Sequence, residues 1–113
     1  PKLFFVNWFR KGSDGHYLWP GYGENSRVLE WIFERVGGHG EAVETPLGWV
    51  PAPGAINIDN LDVTKEDMED LVRVDPGEWR AEIALIREHY AMFGERLPSE
   101  LLIAVDGLAR SLG

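Results

Sequence analysis

The spacing of apolar residues changes several times along the chain, and each change predicts an element. Residues 3–9, LFFVNWF, are a nearly continuous apolar run and predict a buried strand. RKGSDG, residues 10–15, interrupts it with two glycines and predicts a turn. HYLW, residues 16–19, is then a short second strand able to pair back as a hairpin. PGYGEN is loop. From Ser26 to Val36 the period becomes helical: Val28, Leu29, Ile32, Phe33 and Val36 share one face. Asn25 or Ser26 can cap this helix by accepting from an early backbone N–H. Gly37 and Gly38 can close it in the left-handed conformation.

Residues 39–54 lose the rhythm and predict a loop with one short strand near Trp49. Ile56, Ile58, Leu61 and Val63 anchor an irregular segment. Thr64 with Asp67 three positions later has the form of a capping box, and a short helix follows from about Lys65 to Val72. The next helix carries the clearest start signal. Asp75 can cap, Pro76 suits the first helical position, and Glu78 stands at the reciprocal place. Trp79, Ile83, Ile86, Tyr90 and Phe93 line one face, and Gly94 ends it. A last helix from about Pro98 places Leu101, Val105, Leu108 and Leu112 at the same spacing. The fold class is therefore α+β, short strands first and several helices after them.

At 113 residues the chain holds one core of ordinary size. Its net charge of -8 is unevenly spread. Residues 1–27 carry 4 basic and 2 acidic side chains, a balance of +2, while residues 28–113 carry 7 and 17, a balance of -10. An anionic ligand is better received in the first quarter. A long nucleic acid is disfavoured, because phosphate-backbone binding needs clustered Lys and Arg. The absence of cysteine removes disulfides, thiolate zinc sites and thiol nucleophiles, and fits a cytoplasmic protein. No apolar run reaches membrane-spanning length. The strand-like run begins two residues after Pro1, as expected of a piece of a longer chain.

Most chemistry-bearing residue types form no site by spacing. His16, His39 and His89 lie far apart, with no metal-ligand spacing among them. Asp59, Asp62, Glu66, Asp67, Glu69 and Asp70 crowd one segment, which reads as a solvated acidic face. GYGENS spells G-x-G-x-x-S, not G-x-G-x-x-G, and no GxxxxGK[ST] phosphate loop occurs. Gly21 and Gly23 suit a tight turn, although the helix start behind them could also hold an anion.

The aromatics are different. Nine of the 13 lie in residues 1–33. Tyr17, Trp19 and Tyr22 occupy what should be a turn, where Gly, Pro, Asn and Ser normally serve. Two readings stand on the residues alone. Phe4, Trp31 and Phe33 suit a core, and the rest could join them. Alternatively, rings from the strand and the loop sandwich a planar heterocycle, with stacking worth roughly 1–3 kcal/mol for any base. Asn25 would then supply selectivity, since an amide offers both a donor and an acceptor to a purine edge.

VNWFRK, a glycine-containing turn, and LWPGYGENSRVLEW together resemble the C-terminal region of the GTP-dependent phosphoenolpyruvate carboxykinase family. The resemblance is specific over residues 6–35 and loose beyond Gly37. In that family the block closes over the guanine of GTP. Carried over by position, it implies a guanine pocket of Phe9, Tyr17, Tyr22, Gly23, Glu24 and Asn25, with Asn25 reading the base edge. Trp8 and Trp19 are implied as support for the pocket. The family often has Phe where this chain has Tyr17 and Tyr22, and a tyrosine keeps the stacking face.

The resemblance also implies the reaction. Oxaloacetate and GTP give phosphoenolpyruvate, GDP and carbon dioxide, a gluconeogenic step, with Mn2+ at the enolate and Mg2+ or another divalent ion on the nucleotide. The family's phosphate loop and metal ligands have no counterpart in these 113 residues. The implied division is a guanine-binding segment, 6–36, and a helical part, 64–113, of a larger mixed α/β nucleotide-binding domain. The implied partners are GTP or GDP and the remainder of the parent polypeptide. The segment alone is expected to be inactive, and its apolar first strand to favour self-association. A non-enzymatic aromatic platform for a peptide or other flat ligand is the alternative.

Overall fold

The computed structural model describes all 113 residues. In chain order it contains a single 3-10 turn at Tyr22–Glu24, helix α1 (Asn25–Val36), strands β1 (Ala42–Thr45) and β2 (Gly48–Pro51), helices α2 (Lys65–Val72) and α3 (Pro76–Ala91), a 3-10 turn at Gly94–Arg96, and helix α4 (Ser99–Ser111). The class is α+β, with β1 and β2 paired as an antiparallel hairpin. Two compact units divide the chain: Pro1–Glu44 with Trp49–Arg73, and Thr45–Gly48 with Val74–Gly113.

The first unit surrounds Trp19, Trp31 and Ile56, with Trp8, Val28 and Met68 packed on them. LFFVNWF forms no strand, contrary to its composition. An apolar run supplies side chains, but a strand also needs a neighbouring edge for its backbone groups, and none lies alongside. Leu3 and Phe5 are almost wholly exposed. Trp8 packs on the core, and Phe4, though 39% exposed, stands edge-on to Trp31 with centroids 6.1 Å apart. The hairpin expected between residues 3–9 and 16–19 does not form; a single antiparallel bridge takes its place, joining Tyr17 to Lys11 within the expected turn. Leu18 N–H donates to the Arg10 carbonyl and Gly12 N–H to that of His16, both at 2.9 Å.

α1 starts without a side-chain cap. The preceding 3-10 turn already uses two early donors: Glu24 N–H bonds the Gly21 carbonyl and Asn25 N–H that of Tyr22. Asn25 is already the first helical residue, with Glu24 at the N-cap position, and its side-chain oxygen caps no backbone N–H but accepts from Trp19 Nε1. The far end closes as a Schellman motif. His39 N–H donates to the Glu34 carbonyl at 2.8 Å and Gly38 N–H to that of Arg35 at 3.1 Å, with Gly38 at φ 85°. Only part of the expected apolar face is covered. Trp31 is buried and Val28 and Ile32 half-buried, but Leu29, Phe33 and Val36 face water.

The second strand of the β1–β2 hairpin is where one strand was expected, and the first lies in sequence expected as loop. Thr45 closes its tip: the hydroxyl donates to the Gly48 carbonyl at 2.7 Å and accepts from Leu47 N–H at 3.2 Å. Arg35 lies over the Trp49 ring, 5.6 Å from its centroid, and donates to the Gly40 carbonyl at 3.0 Å. α2 opens with the expected capping box, Thr64 Oγ1 accepting from Asp67 N–H and Asp67 Oδ2 from Thr64 N–H, each at 3.0 Å.

In the second unit, α3 and α4 pack through Ile83, Val105 and Leu112, with Trp79, Ile86 and Tyr90 around them. Asp75 caps α3 by accepting from Glu78 N–H at 3.0 Å, and Pro76 fills the first helical position. Arg80 donates to the Leu112 carbonyl at 3.1 Å, and Arg87 pairs with Asp106 at 2.9 Å. Phe93 and Leu101, expected on the packed faces, are partly exposed instead.

Candidate functional site

The aromatic turn is anchored at its start. Trp19, just before the turn, is 5% exposed and belongs to the first core with Trp31 and Ile56. Gly21 sits at φ 76° and ψ -174°, a conformation open essentially to glycine alone. The next residue is the surprise. Tyr22, not Gly23, takes the second positive φ, at 44°. A side-chain-bearing residue there stores about 1–3 kcal/mol of strain. Tyr22 obtains no packing in return, since it is 98% exposed and touches no other ring.

Phe9 and Tyr17 come together. Their rings meet edge to face, with centroids 6.0 Å apart and planes at 66°. They remain 70% and 58% exposed, so they form a surface step and not a core. Phe9 is placed by Asn7, whose side-chain oxygen accepts from Phe9 N–H at 3.0 Å. Tyr17 is placed by the Lys11 bridge, and the Lys11 ammonium lies 5.3 Å from the Tyr17 centroid. Lys11 closes the VNWFRK block and belongs to the basic excess of residues 1–27, but neither signal places it beside Tyr17.

Glu24 and Asn25 stand at the start of α1 with different duties. Glu24 accepts from Arg27 Nε at 2.6 Å, and Arg27 also donates to the Asn57 carbonyl at 3.0 Å. The carboxylate thus ties the turn to the Ile56 segment. Gly23 is exposed, and its carbonyl accepts from Ser26 Oγ at 3.2 Å. Asn25 is half-buried, and its Oδ1 accepts from the indole Nε1 of Trp19 at 2.9 Å. Trp8 is half-buried within the same core.

The arrangement offers flat apolar faces, an amide at a helix start and one nearby ammonium. These suit binding of a planar, anionic ligand and supply no nucleophile or proton-transfer pair. No three His, Asp or Glu side chains converge closely enough to share a metal ion, so the divalent ions implied by the resemblance find no donor set here. A separate cavity of about 590 Å³ lies between Pro51–Asp59 and α2, and none of the aromatic-turn residues lines it. No helix is long and apolar enough to cross a membrane.

Comparison with known proteins bears on the whole chain. The family model described as phosphoenolpyruvate carboxykinase C-terminal P-loop domain matches residues 1–111. A phosphoenolpyruvate carboxykinase [GTP] of Paenarthrobacter aurescens (strain TC1) is 50% identical over 113 residues, which is 100% of this chain and 19% of that protein. One of Treponema pallidum (strain Nichols) is 52% identical over 109 residues, covering 96% of this chain and 18% of the relative. One of Neocallimastix frontalis is 50% identical over 113 residues, covering 99% and 18%. The chain therefore spans about a fifth of the length of the curated relatives it matches.

Proposed function

The chain belongs to the GTP-dependent phosphoenolpyruvate carboxykinase family, and on that premise we propose that its aromatic turn is one wall of the guanine site of that enzyme. Phe9, Tyr17 and Tyr22 supply stacking faces, Gly23 and Glu24 shape the turn, and Asn25 reads the base edge. The observation that carries this is Tyr22. A large ring held in water on a strained backbone has no structural purpose on this chain. Covering it with a flat base gives it one.

In this reading the full-length enzyme converts oxaloacetate and GTP to phosphoenolpyruvate, GDP and carbon dioxide. This segment contributes nucleotide choice and not the bond changes. Phosphates, Mn2+ and Mg2+ are held by residues beyond it. Lys11 gives the slot a positive rim that favours a nucleotide over a neutral flat molecule. The cysteine-free composition supports a reducing, cytoplasmic setting.

The test is nucleotide choice in a full-length carboxykinase that carries this segment. Asn25→Ala should lower the preference for GTP over ATP more than it lowers turnover at saturating GTP. Equal losses with GTP, ITP and ATP would remove the edge-reading role.

A further inference from the structure

The buried indole just before the turn has a use beyond packing. We infer that Trp19 fixes the polarity with which Asn25 meets a base, and so helps to set nucleotide specificity without touching the nucleotide. The inference rests on the guanine reading above.

The argument begins with what each group can do. An indole N–H only donates, and it has no acceptor function. The Asn25 atom 2.9 Å from Trp19 Nε1 must therefore be the carbonyl oxygen, whichever way the amide is first assigned. The outward end of the amide is then Nδ2, carrying two N–H donors and no acceptor. Nδ2 donates to no other atom of the chain. The backbone at Asn25 is fixed too, because its N–H is committed to the Tyr22 carbonyl. Trp19 cannot easily turn away, since its ring is clamped in the core with Trp31 and Ile56.

An outward pair of donors suits a purine with a 6-oxo group, which presents acceptors at O6 and N7. It opposes a 6-amino purine, which presents a donor at the same position. Without the indole N–H, the amide could flip and offer its oxygen to that amine. Trp19 is thus a positioning residue that makes Asn25 a donor only. Its predicted contribution is to the choice between 6-oxo and 6-amino bases, and not to the choice between guanine and hypoxanthine, which share O6.

The experiment compares GTP, ITP and ATP in a full-length carboxykinase that carries this segment, with wild type, Asn25→Ala, Trp19→Phe and Asn25→Asp. Trp19→Phe keeps an aromatic ring and deletes the N–H. It should narrow the GTP/ATP ratio of kcat/KM by about tenfold, the worth of one neutral hydrogen bond. The change should fall mainly on KM, with ITP following GTP. Asn25→Asp keeps an acceptor for Trp19 but presents oxygen outward, so its GTP/ATP ratio should fall below that of Asn25→Ala.

If Asn25→Ala lowers the ratio while Trp19→Phe leaves it intact, Asn25 reads the base without help and the inference falls. If Asn25→Ala leaves the ratio intact, the guanine reading itself falls. Should Trp19→Phe fail to fold, Asn25→Asp decides: a ratio equal to or above that of Asn25→Ala overturns the inference, because polarity would then play no part.

Discussion

Phe9 and Tyr17 meet edge to face 6.0 Å apart, yet each leaves more than half of its surface in water. Such a pair is worth about 0.5–1.5 kcal/mol beyond its area, and here it holds two rings ready instead of hiding them. Phe9→Ala and Tyr17→Ala should each raise the KM for GTP about tenfold in the full-length enzyme, within the range of one stacked ring. The double variant should lose less than the product of the two, because each ring orients the other. Steady-state kinetics over this four-member cycle checks it. Strictly multiplicative losses would assign the rings separate roles.

Tyr22→Gly should separate stability from binding. Glycine takes the 44° φ without the steric penalty that tyrosine carries there. Since the Tyr22 ring packs on nothing, the substitution should stabilise the folded segment by about 1 kcal/mol, net of the entropy that glycine adds to the unfolded chain. Chemical denaturation measures this. In the full-length enzyme the same variant should raise the KM for GTP. A destabilised segment would mean that the tyrosine is placed for folding.

How far the sequence reveals these features depends on how local they are. The caps at Thr64 and Asp75 are readable because donor and acceptor lie three residues apart, and the helices they open follow as expected. The LFFVNWF run misleads, because strand formation depends on a neighbouring edge that no window of residues contains. The β1–β2 hairpin hides behind Pro46 and Gly48, which read as loop, while the Thr45 hydroxyl holds the tip closed. The rings of the candidate site are legible from their odd placement in a turn. What Asn25 does is not. Its position before a helix suggests a cap, and only folding brings the Trp19 indole to it.

Gly38→Ala should destabilise the first unit by about 1–2 kcal/mol, the usual penalty for a Cβ in the left-handed region. No atom lies within 4 Å of the added methyl, so the effect is purely one of backbone. Thermal unfolding of the two proteins side by side checks it. No change in melting would show that the Schellman closure of α1 contributes nothing.

The isolated segment should make no phosphoenolpyruvate from oxaloacetate, GTP and manganese, and should bind GTP weakly. It presents exposed aromatic faces and a neighbouring ammonium, while phosphate loops and metals normally supply much of nucleotide affinity. A coupled enzyme assay and isothermal titration check the two halves. Product formation, or micromolar binding, would place more of the machinery within these 113 residues.

The exposure of the Phe9, Tyr17 and Tyr22 rings also has a thermodynamic consequence. Aromatic surface that stands hydrated in the free protein must shed its water when a base lies against it. Burial of that kind lowers the heat capacity. On the proposed guanine reading, binding of the base should therefore carry a negative heat-capacity change, growing more enthalpic as temperature rises, and its size would report how many of the three rings the base covers.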